Sequence, residues 1–205
     1  MPFSTAQADH LFLAPPPRSA FFLGLDLGQS QDHSALVVVE RLARTFTQSD
    51  GVVVTGYQRR FEWRIRHAER IALGVSYRHV QRRVAQVVQA LGPAATLVVD
   101  ASGVGAPVFE ALRAELPAAH VVGVVITGAG RPSRNAGRWT APRGELVGVL
   151  RLLIEKGELR AARGMTGFPQ LLEELQSFTE HAAHAVHDDL VMALALACWW
   201  AHRGV

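Results

Sequence analysis

Hydrophobic periodicity along this chain changes once, near residue 75, and that change constrains the fold more than any single motif. Before it, apolar residues gather in short β-type runs. Phe21–Leu27 (FFLGLDL), bounded by Gly28, has the pattern of a buried central strand. Ser34–Glu40 (SALVVVE) and Gly51–Phe61 (GVVVTGYQRRF) follow as second and third strands, and the short connections predict an antiparallel meander. After the change, strand and helix patterns alternate. Val80, Val84, Val87, Val88 and Leu91 recur at helical spacing over Tyr77–Leu91, and Gly92-Pro93 stops that helix. Strands at Thr96–Val99 and His120–Ile126 alternate with helices at Ala106–Glu115 and Gly144–Glu155, and helices at Phe168–Phe178 and Asp188–Ala201 complete the pattern. Such alternation predicts parallel strands covered by helices. The expected architecture is α/β: a mixed sheet of five-stranded type, meander first and parallel strands after, with helices on both faces.

Residues 1–20 read as a flexible tail or linker, because Pro15, Pro16 and Pro17 favour an extended conformation. Residues 21–205 then form one domain, a size consistent with a single buried core. The longest apolar stretch, Leu190–Ala201, has 12 residues, against roughly 20 needed to span a bilayer. With no secretory signal pattern either, no membrane association and a cytoplasmic location are expected. A single cysteine, Cys198, excludes a disulfide framework and a cysteine-rich zinc module. The only lysine stands in Glu155-Lys156-Gly157, so the Gly-Lys-Ser/Thr of a P-loop motor is absent.

A net charge of +3 conceals strong segregation. Residues 41–83 hold ten arginines against three acids, and residues 127–143 hold four arginines and no acid. Arginine suits planar contacts to phosphate, and such clusters are an expected footprint of nucleic acid. Arg59, Arg60, Arg64 and Arg66 in the first stretch, and Arg131, Arg134, Arg138 and Arg143 in the second, are the candidate grips on a DNA backbone. A GC-rich coding sequence explains the choice of arginine over lysine but not this distribution.

Three places deliver a carboxylate to the end of an element. Asp26 lies within FFLGLDLG, where burial demands a cation or strong donors in compensation. Asp100 ends TLVVD before ASGVG, which also fits a turn-initiating aspartate. Asp188 and Asp189 open the apolar run DDLVMALALACWW, which also fits a helix N-cap. Taken together, hard oxygen ligands without cysteine point to two Mg²⁺ or Mn²⁺ ions. Ions bridged by carboxylates activate a water and stabilise the leaving oxygen of a phosphodiester. The residues thus read as a metal-dependent nuclease.

The order strand-Asp, strand-Asp, helix-Asp after a meander resembles the ribonuclease H-like fold. More narrowly, GLDLGQSQDHSALVVVE, LVVDASGVGAPVFEALR and HDDLVMALALA resemble the C-terminal nuclease domain of bacteriophage terminase large subunits. APRGELVGVLRLLIEKGELR and FPQLLEELQSF resemble that family's helix, short strand and helix, so the likeness covers residues 21–201. It implies that Asp26 bridges both metals, that Asp100 is the second acid, and that Asp188 or Asp189 is the last. It further implies an auxiliary role for Asp32; His187, by its position next to the last acids, is a further auxiliary candidate. The substrate implied is double-stranded DNA, cut during viral genome packaging in a bacterial host cell. Terminases couple this nuclease to a packaging ATPase, so that ATPase, as a domain or subunit, is the implied partner, while ATP hydrolysis is not carried over.

Weaker features stand beside these. His181, His184 and His187 at three-residue intervals fit a proton shuttle or a solvent-facing loop. Trp139 fits a base-stacking platform or a packing anchor, and Trp199 and Trp200 fit a core or a partner-covered surface. Gly103 and Gly105 fit a phosphate cradle at a helix start. Two other functions remain open: a non-catalytic DNA-binding or assembly module of the same fold, and an actin- or sugar-kinase-like phosphotransferase fragment suggested by GLDLG and DASGVG.

Overall fold

The computed structural model describes residues 18–28, 32–49, 54–178 and 188–203, with the backbone alone at 46–49 and 54–59. The elements are β1 (Arg18–Asp26), β2 (Ser34–Ser49), β3 (Val54–Ile71), α1 (Tyr77–Leu91), β4 (Thr96–Asp100), α2 (Gly105–Glu115), β5 (His120–Thr127), β6 (Ser133–Asn135), β7 (Arg138–Pro142), α3 (Arg143–Glu155), β8 (Leu159–Ala161), α4 (Phe168–Ser177) and α5 (Asp189–Arg203). The fold is α/β, and among the described residues the mixed sheet has eight strands rather than five, in the order β6-β7-β5-β4-β1-β2-β3-β8. The meander expected from the sequence is β1–β2–β3, paired antiparallel. β4 pairs parallel to β1, β5 to β4, and β7 to β5.

Side-chain alternation divides the core into two layers. Phe22, Val37, Val98 and Val124 face α5, whereas Leu23, Leu25, Leu36, Leu97 and Val99 face α1 and α2. Of the 15 residues of α5, 12 are buried, so this helix is apolar all round and must be covered on every side. The sheet covers one side, and α3 and α4 pack on it from outside. No helix of the described residues is long and apolar enough to cross a membrane.

Gly24 explains how closely α5 lies on β1. A Cβ built there would fall 1.8 Å from the Ala193 carbonyl oxygen, so helix and strand backbones touch. Gly24→Ala is expected to lower stability by about 3 kcal/mol, because rigid backbone must separate. The midpoint of urea unfolding measures this, and an unchanged midpoint would show that α5 yields freely.

Two sequence expectations need correction, and two short strands add to them. Regular structure already includes Arg18, Ser19 and Ala20, ahead of Phe21, since they pair with Ala43, Leu42 and Arg41. The third strand runs on to Ile71, well past Phe61. The 127–143 stretch contains the two short strands β6 and β7.

Candidate active site

Sheet register brings the first two acids together. Leu25 pairs with Val99 in the parallel β1–β4 ladder, so Asp26 and Asp100 end adjacent strands side by side. Both follow residues that face α1 and α2, so alternation turns both toward α5. The third acid pair arrives with α5, which runs antiparallel to β1: its Ala193 lies on Gly24 and its Ala201 carbonyl accepts from the Arg41 guanidinium. From Ala193 back to Asp189 is one helical turn, about 6 Å. From Gly24 on to Asp26 is about 6.6 Å of strand. Asp189 therefore stands level with Asp26, and all four aspartates lie at the carboxyl end of β1 and β4.

Their electrostatics agree with that placement. The Asp26 carboxyl is held well above its ordinary 3.8, first by burial, then by the negative charges of Asp100, Asp189 and Asp188, with the Leu27 backbone opposing. Asp100 is also raised, by burial, against hydrogen bonds from Ser102. The Ser102 N–H donates to Asp100 Oδ1 at 2.8 Å, so the turn role read in the sequence is real and coexists with the edge position. Asp32 is exposed in the connection after β1. His181, His184 and His187 lie outside the described residues.

The helix-cap reading of Asp188 and Asp189 is settled by a residue the sequence did not single out. Asp188 occupies the cap position, its carbonyl accepting the Met192 N–H at 2.8 Å. The Leu190 and Val191 N–H groups, however, donate to Glu174 Oε2 on α4 at 2.9 and 3.2 Å, and Arg70 on β3 donates to Glu174 Oε1. Glu174 is 3% exposed and takes the capping work from a distance. The Asp188 carboxylate instead pairs with Arg143, the first residue of α3, whose guanidinium also lies 5.5 Å from the Phe178 ring centroid. Only tertiary contact reveals Glu174; in FPQLLEELQSF it reads as an ordinary helix-surface acid.

These carboxylates offer oxygen alone, a donor set for a hard divalent cation. The raised Asp26 carboxyl is a buried charge that a cation would compensate. Among the described residues, no three His, Cys, Asp or Glu side chains form a ready ligand group. The residues thus fit the ion in the chemistry of their donors.

The arginines divide into two groups. β7 reaches the acid edge, since Asp100 pairs with Val124 and Val124 with Trp139. Arg134 pairs with Trp139, which puts it about 14 Å across three strand spacings from Asp100. Arg131 and Arg134 are exposed, and Arg138 is half-buried. The first group lies elsewhere. From Ala35, which pairs with Asp26, to Arg44, which pairs with Arg60, β2 runs about 30 Å away from the acids. Arg59 sits beyond Arg60 on that ribbon. Arg64 and Arg66 are engaged by Glu62 and Glu40 at 2.9 and 2.6 Å. Arg59 and Arg60 thus lie far from the acids, and Arg64 and Arg66, though nearer, are held by glutamates.

Two further sequence features acquire packing roles. Trp139 meets Trp199 and Trp200 edge-on at 6.3 and 5.7 Å, with the Arg203 guanidinium 4.3 Å from its ring centroid. Gly105 lets α2 start against β4, for a Cβ there would fall 1.9 Å from the Asp100 carbonyl oxygen. No model of a known protein family matches the chain, and no curated protein matches it.

Proposed function

We propose that this chain is a divalent-cation-dependent endodeoxyribonuclease of the ribonuclease H-like kind, similar to the nuclease domain of terminase large subunits. The observation that carries the reading is the meeting of Asp26, Asp100, Asp188 and Asp189, from three separate elements, at one sheet edge, where the last three raise the Asp26 carboxyl. In this reading Asp26, Asp100 and one or both of the helix acids hold two Mg²⁺ or Mn²⁺ ions. Such ions supply Lewis-acid activation of a water and offset charge on the phosphodiester. The chain's own part is to hold these acids on rigid elements and to present Arg131, Arg134 and Arg138 to the backbone beside the cut. The resemblance extends the proposal to viral DNA cut during genome packaging in a bacterial host cytoplasm, with a packaging ATPase as partner.

Supercoiled plasmid tests this directly. Mn²⁺ or Mg²⁺ is expected to produce nicked and linear forms, and a chelator to stop the reaction. Binding without cleavage in either metal would move the conclusion to the second reading, a non-catalytic DNA-binding module. That reading is favoured by the Arg143–Asp188 pair, which neutralises one acid internally.

The two arginine groups predict separable effects. Exchanging Arg131 and Arg134 for alanine is expected to weaken duplex binding and flatten the log K against log salt slope by about 2. Exchanging Arg59 and Arg60 is expected to weaken binding only for duplexes longer than about 9 base pairs, the length that spans 30 Å. Equal losses on a 6-base-pair duplex would place both groups at the same phosphates.

A further inference from the structure

We infer that Arg143 is an internal counter-cation of the acid centre, a latch that divalent ions displace and that then serves the nucleic acid. The inference rests on the nuclease reading and adds a regulatory link to it. Arg143 opens α3 directly after β7, whose last residues extend past the level of Asp100. Its guanidinium donates to Asp188 Oδ2, and the two side chains are 33% and 28% exposed. The pair is accessible enough to open and sheltered enough to persist.

Asp188 is available for this exchange because Glu174 holds the N-terminus of α5 in its place. In most helices an aspartate at the cap is tied to the backbone. Here the carboxylate pairs with the end of a long side chain whose guanidinium lies over Phe178. Arg143 already holds Asp188 Oδ2. A divalent ion taking that oxygen competes with the guanidinium, and its binding frees the Arg143 charge.

Two consequences follow from linkage. A competing internal cation scales apparent metal affinity down to the fraction of molecules in which it is disengaged, about one in ten for a tenfold effect. Conversely, metal binding frees a positive charge for DNA, so each ligand tightens the other by the same factor.

The test uses Arg143→Ala and Arg143→Lys in the full chain, with Mn²⁺ alone as the first probe. Calorimetric titration is expected to give Mn²⁺ affinity about tenfold tighter for Arg143→Ala than for wild type. A 20-base-pair duplex, titrated with Ca²⁺ present and absent, is the second probe. Wild-type affinity for DNA is expected to rise with the ion, and that rise to shrink in Arg143→Ala. A purely structural role for Arg143 would weaken both ligands together and overturn the latch. If Arg143→Ala fails to fold, Arg143→Lys decides: a point charge without the planar fork is expected to yield Asp188 more readily, giving tighter Mn²⁺ binding, and unchanged affinity overturns the inference. Absence of any Mn²⁺ binding by the wild type would overturn the nuclease reading itself, a result distinct from failure of the latch.

Discussion

Asp26→Asn is expected to reduce plasmid cleavage about a thousandfold, ~4 kcal/mol of transition-state stabilisation, while leaving duplex binding intact. The same exchange is expected to raise the melting temperature of the metal-free protein at neutral pH. The sign follows from proton linkage. The Asp26 carboxyl is raised above 3.8 by burial and by Asp100, Asp189 and Asp188, so the folded chain binds its proton more tightly than the unfolded chain. Stability then falls as pH rises from about 4 through the folded-state value, and levels off above it. Asparagine removes that loss, and each kcal/mol recovered raises the melting temperature by about 2–4 °C. Divalent ions act in the same direction on the wild type alone: at 100 times Kd they stabilise by ~2.7 kcal/mol, and a fixed ion concentration stabilises more at pH 8 than at pH 5. Cleavage by Asp26→Asn at the wild-type rate would remove this aspartate from the reaction. A metal-induced shift equal in both proteins would remove it from the ion site.

Glu174→Ala is expected to have the largest effect on folding of any exchange outside the apolar core. It strands the Arg70 guanidinium, whose Nε already lacks a partner, and leaves the Leu190 and Val191 N–H groups without an acceptor. Breaking a buried charged pair in this way costs about 3–5 kcal/mol. Glu174→Gln keeps an acceptor but not the charge, and a loss of about 1–3 kcal/mol is expected. Urea unfolding with an unchanged m-value measures both. Because the start of α5 carries Asp188 and Asp189, folded Glu174→Gln is also expected to lose Mn²⁺ affinity. Full stability and full affinity in both variants would show that the helix start is held by packing alone.

The parts of this fold legible in the sequence are those in which local pattern and tertiary role coincide. Helix α1 spans Tyr77–Leu91 as its valine spacing requires, and Gly92 ends it with a φ of 85°. The carboxylate positions of Asp26 and Asp100 are legible because apolar strands end on them. The second half of β3 is not legible, and the ladder explains why. Val38 pairs with His67 but Val39 pairs with Ile65, so Arg66 is an extra residue in the strand. The alternation that puts Trp63 and Ile65 in the core slips by one before Ala68, and a period-two search loses the strand there. Strand β6 is exposed along its whole length, so no apolar signal marks it. The arginine clusters are legible in charge but not in place, since segregation along the chain says nothing about which edge of a sheet a ribbon leaves. Glu174 and the Arg143–Asp188 pair join residues that only the fold brings together.

The contact of Gly24 with Ala193 spans roughly 170 residues of chain. The two halves of the acid edge are thus separated by nearly the full sweep of the sheet, and joining them carries a loop-closure penalty that local contacts cannot offset beforehand. β1 and β4 can pair, and Asp26 and Asp100 can sit side by side, before α5 docks. Until it does, the sheet lacks its most buried helix and the edge lacks its last two carboxylates. On the proposed nuclease reading, the cutting of DNA is in this way tied to completion of the core: a chain still in the course of folding carries half a site.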